Sequence, residues 1–254
     1  MLSRYVNKLS YYSVLTNSSL EIKTSNQPPQ KYTNAVSTLS SKTLSTLAPT
    51  PQSLPSLSKT PSVTVMVVNL YYRNPSVLPT SGFGYLIPRS IPFSQNPEFA
   101  LGVIFDSDSS VGQDSVPGTK LTVMMGGHWW DTFSSYPDSD EGAAMAKSVL
   151  RRHLNITEEP EVVRVNLQKD CIPQYTVGHE QRMKRAHGEL IREYKGKLAV
   201  VGNSYTGVGV NDCVRAAREV AIEIGLAMDE TGLKKAFVDE KVWTVLGRLG
   251  RRRV

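Results

Sequence analysis

The stretch with the clearest chemical potential is Gly202-Asn-Ser-Tyr-Thr-Gly207-Val-Gly209-Val-Asn-Asp212-Cys. Its glycines let a backbone turn tightly and come close to a flat or charged ligand. A strand-like run, Lys197–Val201 (KLAVV), precedes it, and helical spacing follows from about Val210 to Met228. A helix start offers unpaired N–H groups and a positive dipole end, which suit a phosphate or an electron-rich carbonyl oxygen. Strand, glycine turn and helix make half of a nucleotide-binding unit. The turn is not a P-loop, since no Gly-Lys-Ser/Thr follows. Nor is it a complete G-x-G-x-x-G, because Asp212 fills the third slot. Taken alone it is either a cofactor contact or an ordinary glycine-rich turn.

Other reactive residue types form no set. His128, His153, His179 and His187 lack the pattern of a catalytic group and read as structural. Cys171 and Cys213 are too few for a disulfide framework and cannot make a zinc site by themselves. No metal site is expected. Glu21 is the single acid of residues 1–97, which hold eight Lys or Arg, so the net charge of +6 sits in the first two-fifths of the chain. The bases there are spread thinly, with no interleaved aromatics, and nucleic acid is not an expected partner. Arg248, Arg251, Arg252 and Arg253 read as a solvated tail.

The elements around the turn follow from periodicity. Residues 1–62 are rich in Ser, Thr and Pro, the look of a transit peptide, yet Arg4 is their only arginine. They read as exposed strand, turns and loop, with alternation over Tyr32–Leu39 (YTNAVSTL). Val63–Tyr72 (VTVMVVNLYY) is dense in β-branched and aromatic residues and predicts a buried strand. Asn69 breaks this longest apolar run, so nothing in the chain approaches the roughly 18 residues of a membrane span. Gly84–Pro88, Phe99–Phe105 and Lys120–Met125 predict further strands. Strands this close, with no helix between, imply an antiparallel sheet. Asp138–Leu154 predicts a capped helix, Val162–Leu167 a strand and Glu180–Tyr194 a surface helix. A last helix is predicted around Asp239–Leu249.

Six collinear runs carry a family resemblance: VTVMVVNLYY at Val63, GFGYLIP at Gly82, LGVIFDS at Leu101, GTKLTVMMGGHWW at Gly118, DCIPQYTVGH at Asp170 and GNSYTGVGVNDC at Gly202. Over roughly residues 30–228 the chain resembles the C-terminal half of protoporphyrinogen oxidase, most like the fungal mitochondrial enzymes. The resemblance implies an FAD-dependent oxidoreductase of the amine-oxidase type. Such an enzyme oxidises protoporphyrinogen IX to protoporphyrin IX in haem biosynthesis, and dioxygen reoxidises the flavin. It implies an α+β / α/β fold: an antiparallel-sheet substrate domain plus the C-terminal βα piece of an FAD-binding Rossmann domain. The expected division is 1–61 as a lead-in with one strand returning to the FAD domain, 62–195 as the substrate domain, 196–228 as the FAD-contacting piece and 229–254 as a tail.

By the same resemblance Asn203, Val208, Gly209 and Val210 contact FAD, with backbone N–H groups toward the isoalloxazine carbonyl and the pyrophosphate side. Gly84, Leu86, Ile104 and Met124 line an apolar porphyrinogen cavity, although core packing alone would account for them equally well. The resemblance further implies peripheral association with the mitochondrial inner membrane and a possible homodimer. No opening strand–G-x-G-x-x-G–helix element, partner arginine for a substrate propionate or membrane-docking insertion is present in the sequence. The chain therefore reads as a fragment, or as a subunit that needs the dinucleotide-binding half in trans. One face of the 197–228 unit should then expose an apolar patch.

Overall fold

The computed structural model describes residues 6–14, 17–24, 27–109, 112, 114–226 and 231–237. The helix expected around Asp239–Leu249 and the arginine tail lie outside the described residues. The fold is α+β and divides into two compact units, residues 62–172 and residues 1–61 with 173–254.

The unit of residues 62–172 is built on one five-stranded sheet. Its strands are β5 (Ser62–Tyr72), β6 (Gly84–Leu86), β7 (Ala100–Phe105), β8 (Thr119–Gly126) and β9 (Val162–Pro173), numbered after four strands of the other unit. They lie in the order β6-β7-β8-β5-β9, and the β6–β7, β7–β8 and β8–β5 pairs are antiparallel. Alternation sends Met66, Val68, Leu70 and Tyr72 of β5 to one face, with Val103 and Phe105 of β7 and Leu121, Val123 and Met125 of β8. Helix α3 (Ser139–Leu154) covers that face with Ala146, Val149 and Leu150, the i, i+3, i+4 stripe of an amphipathic helix. Its start is fixed by a capping box between Asp138 and Glu141, and Asn155 ends it in a left-handed conformation. Helix and sheet approach closely at Gly142, where a Cβ would lie 2.3 Å from Met66 Sδ.

The other unit holds an antiparallel meander of β1 (Val6–Val14), β2 (Asn17–Thr24) and β3 (Gln27–Tyr32). Strand β4 (Ala35–Ser37) pairs in parallel with β10 (Leu198–Val200), so the alternating run Tyr32–Leu39 is split between two sheets. Helix α1 (Ser41–Leu47), which no periodicity announced, is capped by Ser40 and buries Leu44. Helix α4 (His179–Tyr194) buries Met183, Ala186, Leu190 and Tyr194 against Leu44, Leu54, Leu57 and Leu198. The expected 62–195 stretch therefore crosses the boundary between the units. The compact sheet unit ends at Ile172, and α4 belongs with the β4–β10 pair because its apolar stripe finds that core. Buried Glu189 fastens α4 to the loop that follows α1, accepting bonds from the Ser56 N–H (3.1 Å) and hydroxyl (2.6 Å). Helix α5 (Val210–Gly225) buries only Val220 fully. Among the described residues no helix is long and apolar enough to cross a membrane.

Candidate functional site

The glycine turn runs from β10 to α5 as the spacing predicts. Gly202 has φ +128°, a conformation L side chains rarely adopt. Gly207 is held by proximity: a Cβ there would lie 2.4 Å from Asp212 Cβ. The turn is braced from below by two residues of the DCIPQYTVGH run. The Tyr175 hydroxyl donates to the Asn203 carbonyl at 2.7 Å, and His179 Nε2 donates to the Tyr205 carbonyl at 2.8 Å. Tyr205 in turn donates its hydroxyl proton to the Leu39 carbonyl at 2.8 Å. Burial pushes the Tyr175 hydroxyl up to about 12 and holds the His179 imidazole below its usual range. Both rings are thus neutral braces, which agrees with a structural reading of His179.

Asn203, Val208, Gly209 and Val210 all lie on this turn, with Asn203 half-buried and Val208 and Val210 exposed. Gly209 is the N-cap of α5, and no side chain caps the helix. A flat heteroaromatic carbonyl edge fits this arrangement, since apolar side chains flank N–H groups left for a ligand. A pyrophosphate fits it poorly. Asp212 puts a carboxylate in the first turn, only partly balanced by its ion pair with Arg215 at 3.0 Å. The residues present therefore suit the ring end of a flavin and not its phosphates.

The second set lies in the sheet unit, on the face opposite α3. Gly84 pairs with Ile104, and Ile104 with Thr122; Leu86 pairs with Gly102, and Gly102 with Met124. These two register rows bring Gly84, Leu86, Ile104 and Met124 together across β6, β7 and β8. Ile104 and Met124 are half-buried and Leu86 is 77% exposed, so the face is apolar yet accessible. Two positions in the rows must be glycine. A Cβ at Gly84 would meet the Val103 carbonyl oxygen at 2.1 Å, and one at Gly102 the Tyr85 carbonyl oxygen at 2.4 Å. The result is a floor without projecting side chains between Leu86, Ile104 and Met124, suited to a broad, disc-shaped apolar ligand.

A polar chain crosses the same face. Asn69 Nδ2 donates to Thr122 Oγ1 at 2.7 Å, and the Thr122 hydroxyl donates to Asp106 Oδ2 at 2.7 Å. Asp106 opens the short helix α2 (Asp106–Ser109) directly after β7, on the side of Gly102 and Ile104 by alternation. Burial raises its carboxyl above the usual range, and Lys120, on the same face, is committed to Asp114. Sequence reasoning did not single out Asp106. The available signal was the alternation Gly102, Ile104, Asp106. The FAD-turn set and the sheet-face set fall in different compact units.

The fold is the one seen in solved oxidases of amines and porphyrinogens. The chain superposes on a candidate protoporphyrinogen oxidase from Exiguobacterium sp. 255-15 with a TM-score of 0.69 at 23% identity, over 89% of this chain and 47% of that one. For a putrescine oxidase variant the TM-score is 0.56 at 14% identity, over 88% and 48%. No protein-family model matches. By sequence the chain is homologous to the protoporphyrinogen oxidases. It is 33% identical over 204 residues to that of Schizosaccharomyces pombe, covering 80% of this chain and 40% of the relative. To the human protein it is 36% identical over 177 residues, covering 66% and 35%. The chain thus spans about two-fifths of the length of these curated relatives.

Proposed function

We propose that this chain supplies the porphyrinogen-binding sheet and the flavin-facing turn of an FAD-dependent protoporphyrinogen oxidase, acting in haem biosynthesis at the mitochondrial inner membrane. The observation that carries the reading is the pair of register rows, which gathers Gly84, Leu86, Ile104 and Met124 on one accessible apolar face. Sequence identity of 33–37% to relatives of that name supports it. When bound, FAD would take electrons from the macrocycle two at a time, in three successive rounds, with dioxygen as final acceptor of each. The chain's own part is to hold the macrocycle against the sheet by burial of apolar surface and to present the Gly209–Val210 backbone to the flavin ring. Neither task needs a nucleophile, in keeping with the absence of a catalytic triad from the sequence.

A second reading is favoured by α5. Val210 (78% exposed), Val214 (62%), Ile222 (50%) and Leu226 (67%) form two apolar pairs with nothing on them among the described residues. In this reading the chain is not catalytic alone and needs a dinucleotide-binding half supplied in trans. A flavin absorbance spectrum of the purified chain, before and after FAD is added, separates the two. A bound-flavin band with quenched fluorescence, followed by porphyrin fluorescence on adding protoporphyrinogen, supports autonomous catalysis. No binding at high micromolar FAD, restored by co-expression with a G-x-G-x-x-G-bearing polypeptide, supports the second.

A further inference from the structure

The sheet face assigned above to the macrocycle carries, beside Lys120, one polar chain, Asn69–Thr122–Asp106. Its three residues sit on three adjacent strands or strand ends, with Thr122 opposite both Ile104 and Asn69 in register. The hydrogen bonds all run one way, from the Asn69 amide through the Thr122 hydroxyl to the Asp106 carboxylate. Two donors in series orient one carboxylate oxygen. No ion pair with Lys or Arg joins Asp106 among the described residues, and its local cation, Lys120, is paired elsewhere. A half-buried carboxylate whose nearby cation, Lys120, is bonded to a different carboxylate is an expensive choice for a structural role. It is what a site needs to accept N–H groups from a neutral ligand.

Porphyrinogen and porphyrin differ in this respect. The reduced macrocycle carries four pyrrole N–H donors and no ring-nitrogen acceptor. The oxidised one carries two N–H groups and two imine nitrogens, whose lone pairs repel a carboxylate. We propose that Asp106, steered by Thr122 and Asn69, accepts the pyrrole N–H groups of a porphyrinogen lying on this face and so favours the reduced substrate over the oxidised product. This rests on the reading that the face takes porphyrinogen. Discrimination of this kind eases product release while the apolar floor holds both forms alike.

The test is equilibrium dialysis of the full chain, oxygen-free and without added flavin, against protoporphyrinogen IX and, separately, protoporphyrin IX. The wild type binds the reduced form more tightly. Asp106→Ala lowers porphyrinogen affinity by about tenfold or more, the loss of a charge-assisted hydrogen bond, and changes porphyrin affinity less than about twofold. Thr122→Val shifts the same ratio in the same direction by less. Met124→Ala weakens both ligands together. If circular dichroism shows Asp106→Ala unfolded, Asp106→Asn decides, since it keeps an acceptor for Thr122 and loses only the charge. Equal losses for both ligands, or none for porphyrinogen, overturn the role of Asp106. A wild type that retains neither macrocycle overturns the porphyrinogen reading of the face, and this proposal with it.

Discussion

Tyr175 lies flat on His179, with ring centroids 3.8 Å apart and planes 9° from parallel. The stack is the floor of the glycine turn, because each ring spends its polar atom on a turn carbonyl, Asn203 or Tyr205. The backbone between β10 and α5 is therefore positioned by Tyr175 and by His179 at the start of α4 as well as by its own glycines. Tyr175→Phe keeps the stack and removes the bond to the Asn203 carbonyl. The expected loss is about 1 kcal/mol of stability in chemical denaturation. Amide hydrogen exchange should quicken in residues 202–209 and stay unchanged in β5 and β8.

Acid should destabilise the fold before carboxylates titrate. Burial is the leading cause that holds His128, His153 and His179 below the ordinary histidine value of 6.5, and His153 also meets the Tyr85 hydroxyl at 2.8 Å through Nδ1. The unfolded chain then binds protons first as pH falls through about 6.5, so stability declines from there downward until the folded-state histidines titrate in turn. Thermal melts between pH 7.5 and 5.5 should show a falling Tm, and His153→Gln should flatten the slope.

Asp106 has the opposite sign. Its carboxyl is raised by burial above 3.8, so as pH rises the unfolded chain releases its proton first. Stability is lost across that window and the penalty persists at neutral pH. Asp106→Asn removes it while keeping an oxygen for the Thr122 hydroxyl. The variant should melt higher than wild type at pH 7, and the gain should shrink toward pH 3. A site that pays stability for a ligand contact behaves this way; a cap that served only α2 would lose stability on neutralisation.

The sheet floor tolerates no side chain at two positions. Gly102→Ala puts a methyl group where the Tyr85 carbonyl oxygen stands, at 2.4 Å. The oxygen belongs to the backbone and cannot rotate aside, so β6 must move away from β7. Overpacking of this kind costs about 1–3 kcal/mol. Denaturation should register that loss, and any porphyrin affinity of the chain should fall with it, because Leu86 leaves its row.

Legibility in the sequence followed the locality of the signal. Strand β5 was plain, since Val, Met and Tyr alternate over its whole length and need no partner to be recognised. Helix α3 announced itself through Asp138 and Glu141 at capping-box spacing. Strand β9 runs to Pro173, beyond the expected end at Leu167, where the apolar-polar alternation stops at Gln168, Lys169 and Asp170. Asp170 does bend the chain, with φ +49°, yet its N–H donates to Thr64 Oγ1 at 3.2 Å and pairing continues. Helix α1 was invisible because seven residues of Ser, Thr, Lys and Leu fold only against a distant core. On the candidate site, the turn could be found from its glycines. The chain Asn69–Thr122–Asp106 could not, since it exists only once three strands are in register.

The exposed apolar pairs on α5 give the last prediction. Val210 and Val214 form one exposed apolar pair at the start of the helix and Ile222 and Leu226 a second at its end, while Val220 and Ile224 face Ala199 and Val201. An amphipathic helix with apolar residues on both sides is built to be covered twice, and only one cover is present among the described residues. Exposed apolar surface of this kind drives association in water. The purified chain should therefore self-associate at micromolar concentration, seen as a rising mean mass in light scattering. Val214→Glu with Ile222→Lys should return it toward the monomer. Because neither side chain is in the core, the unfolding free energy should stay within about 0.5 kcal/mol of wild type. If the double variant stays associated, the pairs are not the sticky surface; if it unfolds, they are packed already.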